Sequence, residues 1–279
     1  MTAVAAEPSA GRRLGLRRIR ALDARLFQIT AQAALLTVGV LARDFSLRPE
    51  QMLLTFAAGI ATQAIWLRLL GIRHAGLLSA VVTCFGISLL VRADNLWVHP
   101  LLAALAISAK FTLRIRGKHV FNPANLAVIL ALAVVPGAWI SPGQWGADLA
   151  YASLFVAFGS LVTRQARRWD ISWAFLAFYL GLVALRVLIL GQEWAIWQHH
   201  LESGALLLFA FFMISDPMTI PNHPRARLLF ALAVALVACS WQFLLYRPNG
   251  LMWGLFLCAP LVPLLDRFMP AAKFAWRQG

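Results

Sequence analysis

Two polar clusters interrupt an otherwise oily chain: "GKHVFNPAN" at 117–125 and "SDPMTIPNHPRAR" at 215–227. Each contains an Asn or Asp followed by proline, as Asn122-Pro123 and Asp216-Pro217. An Asn or Asp side chain accepts the orphan N–H groups of a helix start, and proline at the first helical position fixes φ without removing a useful donor. Both pairs therefore predict helix N-termini, whose partial positive charge suits anionic or electron-rich groups. Outside the clusters, Arg186 in "LVALRVLIL" is the one charge inside an apolar run. It suits a carboxylate, a carbonyl or an anionic cofactor as partner, or it snorkels to the interface.

The other reactive side chains exclude more than they offer. None of the six histidines sits at matched depth on facing apolar runs, the pattern a clamped b-type haem needs. His119 and His223 fall one in each cluster, which leaves a shared role open, and solvated loop residues are the stronger expectation. None of the eleven carboxylates lies mid-run, so the chain alone makes a poor proton or cation pump. Cys84, Cys239 and Cys258 occupy separate apolar runs with neither metal nor disulfide spacing, and are expected as packing residues. No Gly-rich dinucleotide loop is present, so nicotinamide chemistry belongs elsewhere.

The elements that position these residues are apolar segments. The 279 residues are 61% hydrophobic and 13% charged, against about 25% charged in soluble domains, which argues for a bilayer as solvent. Ten segments can be drawn, at 26–42, 52–71, 75–92, 97–111, 124–138, 146–163, 171–190, 203–215, 227–245 and 251–266. Several are shorter than the roughly 20 residues a perpendicular span requires, as happens where helices break inside protein. With the N-terminus cytoplasmic, twenty of the 25 Lys and Arg residues fall on the inner side and four on the outer, with Arg186 within a span. That bias supports ten spans with both termini inside. Trp97, Trp139, Trp145, Trp194, Trp197 and Trp253 fall at outer ends, and Trp66, Trp169, Trp173 and Trp276 near the inner face, as interfacial belts.

The expected fold is all-α: a polytopic membrane protein with about ten transmembrane helices and two broken-helix elbows at the cytoplasmic face. Residues 1–25 form a basic cytoplasmic segment, 26–266 the membrane domain, and 267–279 a cytoplasmic tail. The net charge of +14 sits in short gaps between spans, which points to topology and anionic headgroups and away from nucleic acid. No small-residue cleavage site follows the first apolar run, so the N-terminal segment is expected to be retained.

"GKHVFNPANLAVIL" with "SDPMTIPNHPRARLLFALAVAL" resembles the membrane family that contains the NqrB and RnfD subunits of ion-translocating electron-transport complexes. Gly117, Lys118, Phe121, Asn122, Pro123 and Ala124 match the family's first elbow; Ser215, Asp216, Pro217, Thr219, Arg225 and Arg227 match its second. The ten-span layout matches over 26–266, and "SPGQWG" at 141–146 resembles the stand-alone branch named for UnbU. The resemblance implies an inner-membrane electron-transfer subunit that contains flavin and works with other membrane or peripheral redox subunits. It does not imply a stand-alone enzyme of the soluble type. Family members attach FMN to a threonine in a Ser-Gly-Ala-Thr motif; here the corresponding loop reads "PGAWISPGQWGAD", with no threonine. The resemblance therefore gives no residue for covalent attachment, and a non-covalent FMN or riboflavin near the elbows is expected. Lys118, Asn122, Asn125, Asp216 and Thr219 would orient it or cap the helices around it, with Arg186 as a partner for an anionic group. Two other readings compete: a small-solute channel or transporter, because broken helices also bind substrates directly, and a cofactor-free scaffold subunit of a larger complex.

Overall fold

A computed structural model describes residues 23–42, 47–72, 76–141, 145–146 and 149–274. The basic stretch before residue 23, Pro142–Gln144 of the "SPGQWG" element and residues 275–279 of the C-terminal tail lie outside the described residues.

Every apolar segment of the sequence folds as helix along most of its length. The helices are α1 Ala24–Ala42, α2 Pro49–Leu69, α3 Leu78–Leu90, α4 Val98–Thr112, α5 Pro123–Val134, α6 Leu149–Gln165 and α7 Trp169–Leu190. They continue as α8 Trp194–Leu201, α9 Gly204–Leu208, α10 Pro224–Cys239, α11 Gly250–Cys258 and α12 Leu261–Phe268. The wider i→i+5 turn of a π-helix extends α9 over Phe209–Met213 and α10 over Ser240–Leu244. By length and composition, Ala24–Ala42, Pro49–Leu69, Trp169–Leu190 and Pro224–Leu244 are able to cross a membrane. The pair α11 and α12, bent by 49°, makes a fifth candidate. Leu53, Ile65, Leu185, Leu188, Ile189 and Leu236 project outward from these long helices, exposing far more apolar surface than a water-soluble monomer tolerates.

Several of the shorter helices, α3, α5 and α9 among them, are largely enclosed. The twelve residues of α5 pack against α3, α4 and α11, and Ala127, Val128 and Ala131 are buried. A helix too short to cross hydrocarbon is tolerated there because protein packs around it from Pro123 to Ala131. Small residues permit the closest approaches. A Cβ on Gly86 of α3 would lie 2.8 Å from the Ala124 Cβ of α5, and one on Gly159 of α6 would lie 2.4 Å from the Cβ and Cγ of Phe211.

Two small antiparallel ladders close the connections. Strand β1, Val91–Arg92, pairs with β4, Trp139–Ile140, at one end of the bundle. Strands β2, Arg114–Ile115, and β3, Lys118–His119, form a hairpin leading into α5. Its turn residues Arg116 (φ 52°) and Gly117 (φ 83°) are both left-handed, the conformation that lets a two-residue loop follow strand twist.

Replacing Gly159 with alanine should cost about 1–3 kcal/mol, because the added methyl displaces a buried ring attached to a π-turn. A thermal melt of detergent-solubilised protein measures this, and Gly181→Ala is the control, since nothing lies within 4 Å of a Cβ at Gly181.

Candidate functional site

The first cluster folds as read. Asn122 is the N-cap of α5: its Oδ1 accepts the Asn125 N–H at 3.0 Å, and Pro123 occupies the first turn. The second cluster departs from expectation. Asp216-Pro217 does not begin a helix. The Asp216 carboxylate accepts the Met218 N–H at 3.0 Å, and its carbonyl accepts the Thr219 N–H at 3.1 Å and the Thr219 hydroxyl at 3.3 Å, making a compact turn. The reason lies four residues on. In a helix starting at Pro217, Pro221 would lack the N–H owed to the Pro217 carbonyl and its ring would clash there. The helix starts instead at Pro224, where the Nδ1 of His223 accepts the Arg225 N–H at 3.1 Å.

Side chains bind the two clusters together. The Asn122 amide donates to the Met213 carbonyl at 3.4 Å and to Asp216 Oδ2 at 3.3 Å. The Lys118 ammonium donates to Asp266 Oδ2 at 2.8 Å, to the Asn222 side chain at 3.5 Å and to the Ile220 carbonyl. Asp266 Oδ1 in turn accepts the Asn222 N–H at 2.8 Å. Arg227 completes the brace, reaching Asp170 Oδ2 from Nη2 at 2.6 Å and the Asn222 carbonyl at 2.6 Å. Burial pushes the Lys118 pKa down, opposed by its bond to Asp266.

Beside this brace lies a cavity of about 310 Å³. It is walled by α1, α2, α3, the end of α4, the hairpin, the start of α5, the π-turn and the second cluster. Phe111, Phe212, Leu67, Leu89 and Met213 supply apolar surface; Gln32, Gln63, Ser79, Lys110, His119, Asn122 and Asp216 supply polar groups. This is the make-up of a small-molecule pocket, at the lower end of the usual range of about 300–1,000 Å³. Among the described residues, Gln32 Oε1 and His119 Nδ1 are buried without a hydrogen-bond partner.

Of the residues singled out from sequence, Asn122 and Asp216 line this cavity. Asn125 faces α11 and donates to the Met252 carbonyl at 3.3 Å, while Thr219 is buried in its own turn. Lys118 spends its three donors on the brace. Arg186 stands apart: its guanidinium lies 4.7 Å from the Phe243 ring centroid and donates to Gln192 Oε1 at 2.6 Å. Sequence reasoning missed Lys110, Gln63, Ser79 and Gln32. Lys110 read as one more inner-side charge, and no spacing rule connects residues on four separate elements.

His119 is not the solvated residue expected. It is half-buried against the cavity and hydrogen-bonded to the Lys110 backbone. Burial, with Lys110 and Arg114 nearby, pushes its pKa down to about 3 from 6.5. The Asp216 pKa moves the other way: burial raises it, against the Met218 N–H and the charges of Lys110 and Lys118. The surface Asp216 retains opens into the cavity, which reconciles its partial exposure with surroundings made mostly of protein.

The NQR2, RnfD, RnfE family model matches residues 140–275, which contain the second polar cluster and begin after the first. The RnfD subunit of the ion-translocating oxidoreductase complex of Yersinia pseudotuberculosis is 31% identical over 121 residues, covering 43% of this chain and 34% of that protein. Its Yersinia enterocolitica counterpart is 31% identical over 128 residues, 45% of this chain and 36% of that protein. The Escherichia coli counterpart is 33% identical over 143 residues, 51% and 36% respectively. The chain spans about a third of the length of the curated relatives it matches. The resemblance read from the second cluster is matched by this family over residues 140–275, while the first cluster lies before the matched range.

Asp266→Ala should destabilise the protein by about 3–5 kcal/mol, because it strands the Lys118 ammonium, whereas the apolar pair Lys118→Met with Asp266→Leu should cost much less. Melts of the three proteins in one detergent check this ordering. The depressed His119 pKa gives stability that is fully present above pH 6.5 and lost as pH falls from there toward about 3, since only the unfolded chain takes up the proton in that window. His119→Asn should remove that part of the slope, read as the difference between the melting temperatures of the two proteins from pH 7 to pH 4.

Proposed function

We propose that this chain is a membrane electron-transfer subunit of the NqrB/RnfD type, holding a non-covalent FMN or riboflavin in the cavity beside Asn122 and Asp216. The match to the NQR2, RnfD, RnfE family and to the RnfD subunits of ion-translocating oxidoreductase complexes is the premise. In this reading the chain lies in the bacterial inner membrane with about ten spans, both termini cytoplasmic, two elbows at the inner face and redox subunits around it.

The observation that carries the reading is the pairing of the Asn122–Asp216 contact with the unsatisfied buried atoms of the adjacent cavity. A buried polar atom without a partner costs about 1–3 kcal/mol, and a ligand with complementary polar edges removes that cost. Gln32 Oε1 accepts an N–H; the Asn122 cap and the Asp216 turn hold the rim rigid; Phe111 and Phe212 offer flat apolar walls to a ring system. When bound, a flavin supplies electron-transfer chemistry that no side chain has. The protein's part is to orient the ring, keep water away and set the charge around it.

Protein extracted in mild detergent should be yellow, and acid extraction should release about one flavin per chain. Gln32→Leu should weaken riboflavin binding about three- to tenfold, one hydrogen bond's worth, while leaving the flavin-free protein at least as stable in its melt, because the unpartnered Oε1 is gone. A colourless wild type that takes up no added riboflavin or FMN would sink the reading. Solute uptake by proteoliposomes without an electron donor would then favour a channel, and full activity of an assembled complex carrying elbow variants would favour a scaffold.

A further inference from the structure

Lys110, in the last turn of α4, is 5% exposed and lines the cavity. Its ammonium donates to Gln63 Oε1 at 3.0 Å and Ser79 Oγ at 2.9 Å, both neutral acceptors. An ammonium has three donors, and among the described residues Lys110 makes no ion pair. The two acceptors are themselves fixed. Gln63 Nε2 donates to the Gly76 carbonyl at 2.8 Å and to Ser79 Oγ at 3.1 Å, so Oε1 is turned toward Nζ. The C-terminal end of α4 adds partial negative charge, which supports a cation without a carboxylate beside it. Arg25 and Arg114 also line the cavity; the carboxylate there is Asp216, on the far cluster. A positioned positive charge, in no ion-pair contact among the described residues and with Asp216 acting on it only across space, thus faces a largely apolar cavity, where an electrostatic interaction is strong.

We propose that Lys110 takes the electron-accepting edge of the cavity's ligand, so that the negative charge arriving on reduction falls against its ammonium. The proposal rests on the flavin reading above. A flavin ring that gains two electrons from the reduced centre of a partner protein and one proton from solvent carries one negative charge. Lys110 keeps its proton throughout and binds the reduced ring more tightly than the oxidised one, which raises the midpoint potential. It acts as a positioning and charge-setting group and forms no bond to the ring.

The test uses full-length protein in detergent, loaded with riboflavin and titrated spectroelectrochemically, with flavin content measured alongside. Lys110→Met should reduce the preference for the reduced flavin at least about tenfold, a fall of about 30 mV for a two-electron couple. Lys110→Arg, which keeps the charge, should restore most of it. Gln63→Glu is the second variant, near-isosteric and folding with an ion pair in place of a hydrogen bond. It neutralises Nζ in place and should lower the potential in the same direction even if Lys110→Met fails to fold. A wild type that binds riboflavin, with potentials unchanged in Gln63→Glu and in any folded Lys110→Met, overturns the role of Lys110 and leaves the flavin reading standing. A wild type that binds none overturns both.

Discussion

A buried ammonium must find acceptors for all its protons, and Lys118 finds them on two other pieces of chain. Its bonds to Asp266, Asn222 and the Ile220 carbonyl gather the first polar cluster, the second and the last helix at one point. The rest of this end of the bundle depends on that convergence. With it in place, Asn122 reaches Asp216, Asp266 reaches the Asn222 backbone, and Arg227 ties the same loop to α7 through Asp170. Where apolar contacts on the outside give helices little reason to prefer one another over lipid, such polar bonds and close small-residue contacts decide which helices are neighbours.

The division of labour between the two lysines follows from their partners. Lys118 meets a carboxylate and two other oxygens and is saturated by protein. Lys110, eight positions earlier, meets two neutral oxygens and a cavity. Charge alone does not distinguish a brace from a binding group; the identity of the acceptors does.

Much of this was legible beforehand. Hydropathy located the helical segments, and the Asn122-Pro123 signature placed the start of α5 because cap chemistry is local. The Asp216-Pro217 pair failed for an equally local reason: Pro221 forbids the helix that Asp216 would cap, and His223-Pro224 supplies the start instead. The cavity was beyond reach from sequence because its polar members, Gln32, Gln63, Ser79 and Lys110, come from α1, α2, α3 and α4 and share no spacing. Arg186 stood out for lacking a polar neighbour within its run. Its partners lie on Gln192, just past the Gly191 helix end, and on the distant Phe243.

The π-turn over Phe209–Met213 has a consequence for how this region can change. Along it, Phe211 seats against Gly159 while Phe212 and Met213 face the cavity, and the Met213 carbonyl receives Asn122. Anchor, wall and acceptor are therefore phases of a single rotation. Losing or gaining one residue there turns everything beyond it by about 100°, swapping ring for carbonyl and wall for anchor. Substitutions can vary the cavity's surface one side chain at a time, but the length of this segment is not free to drift.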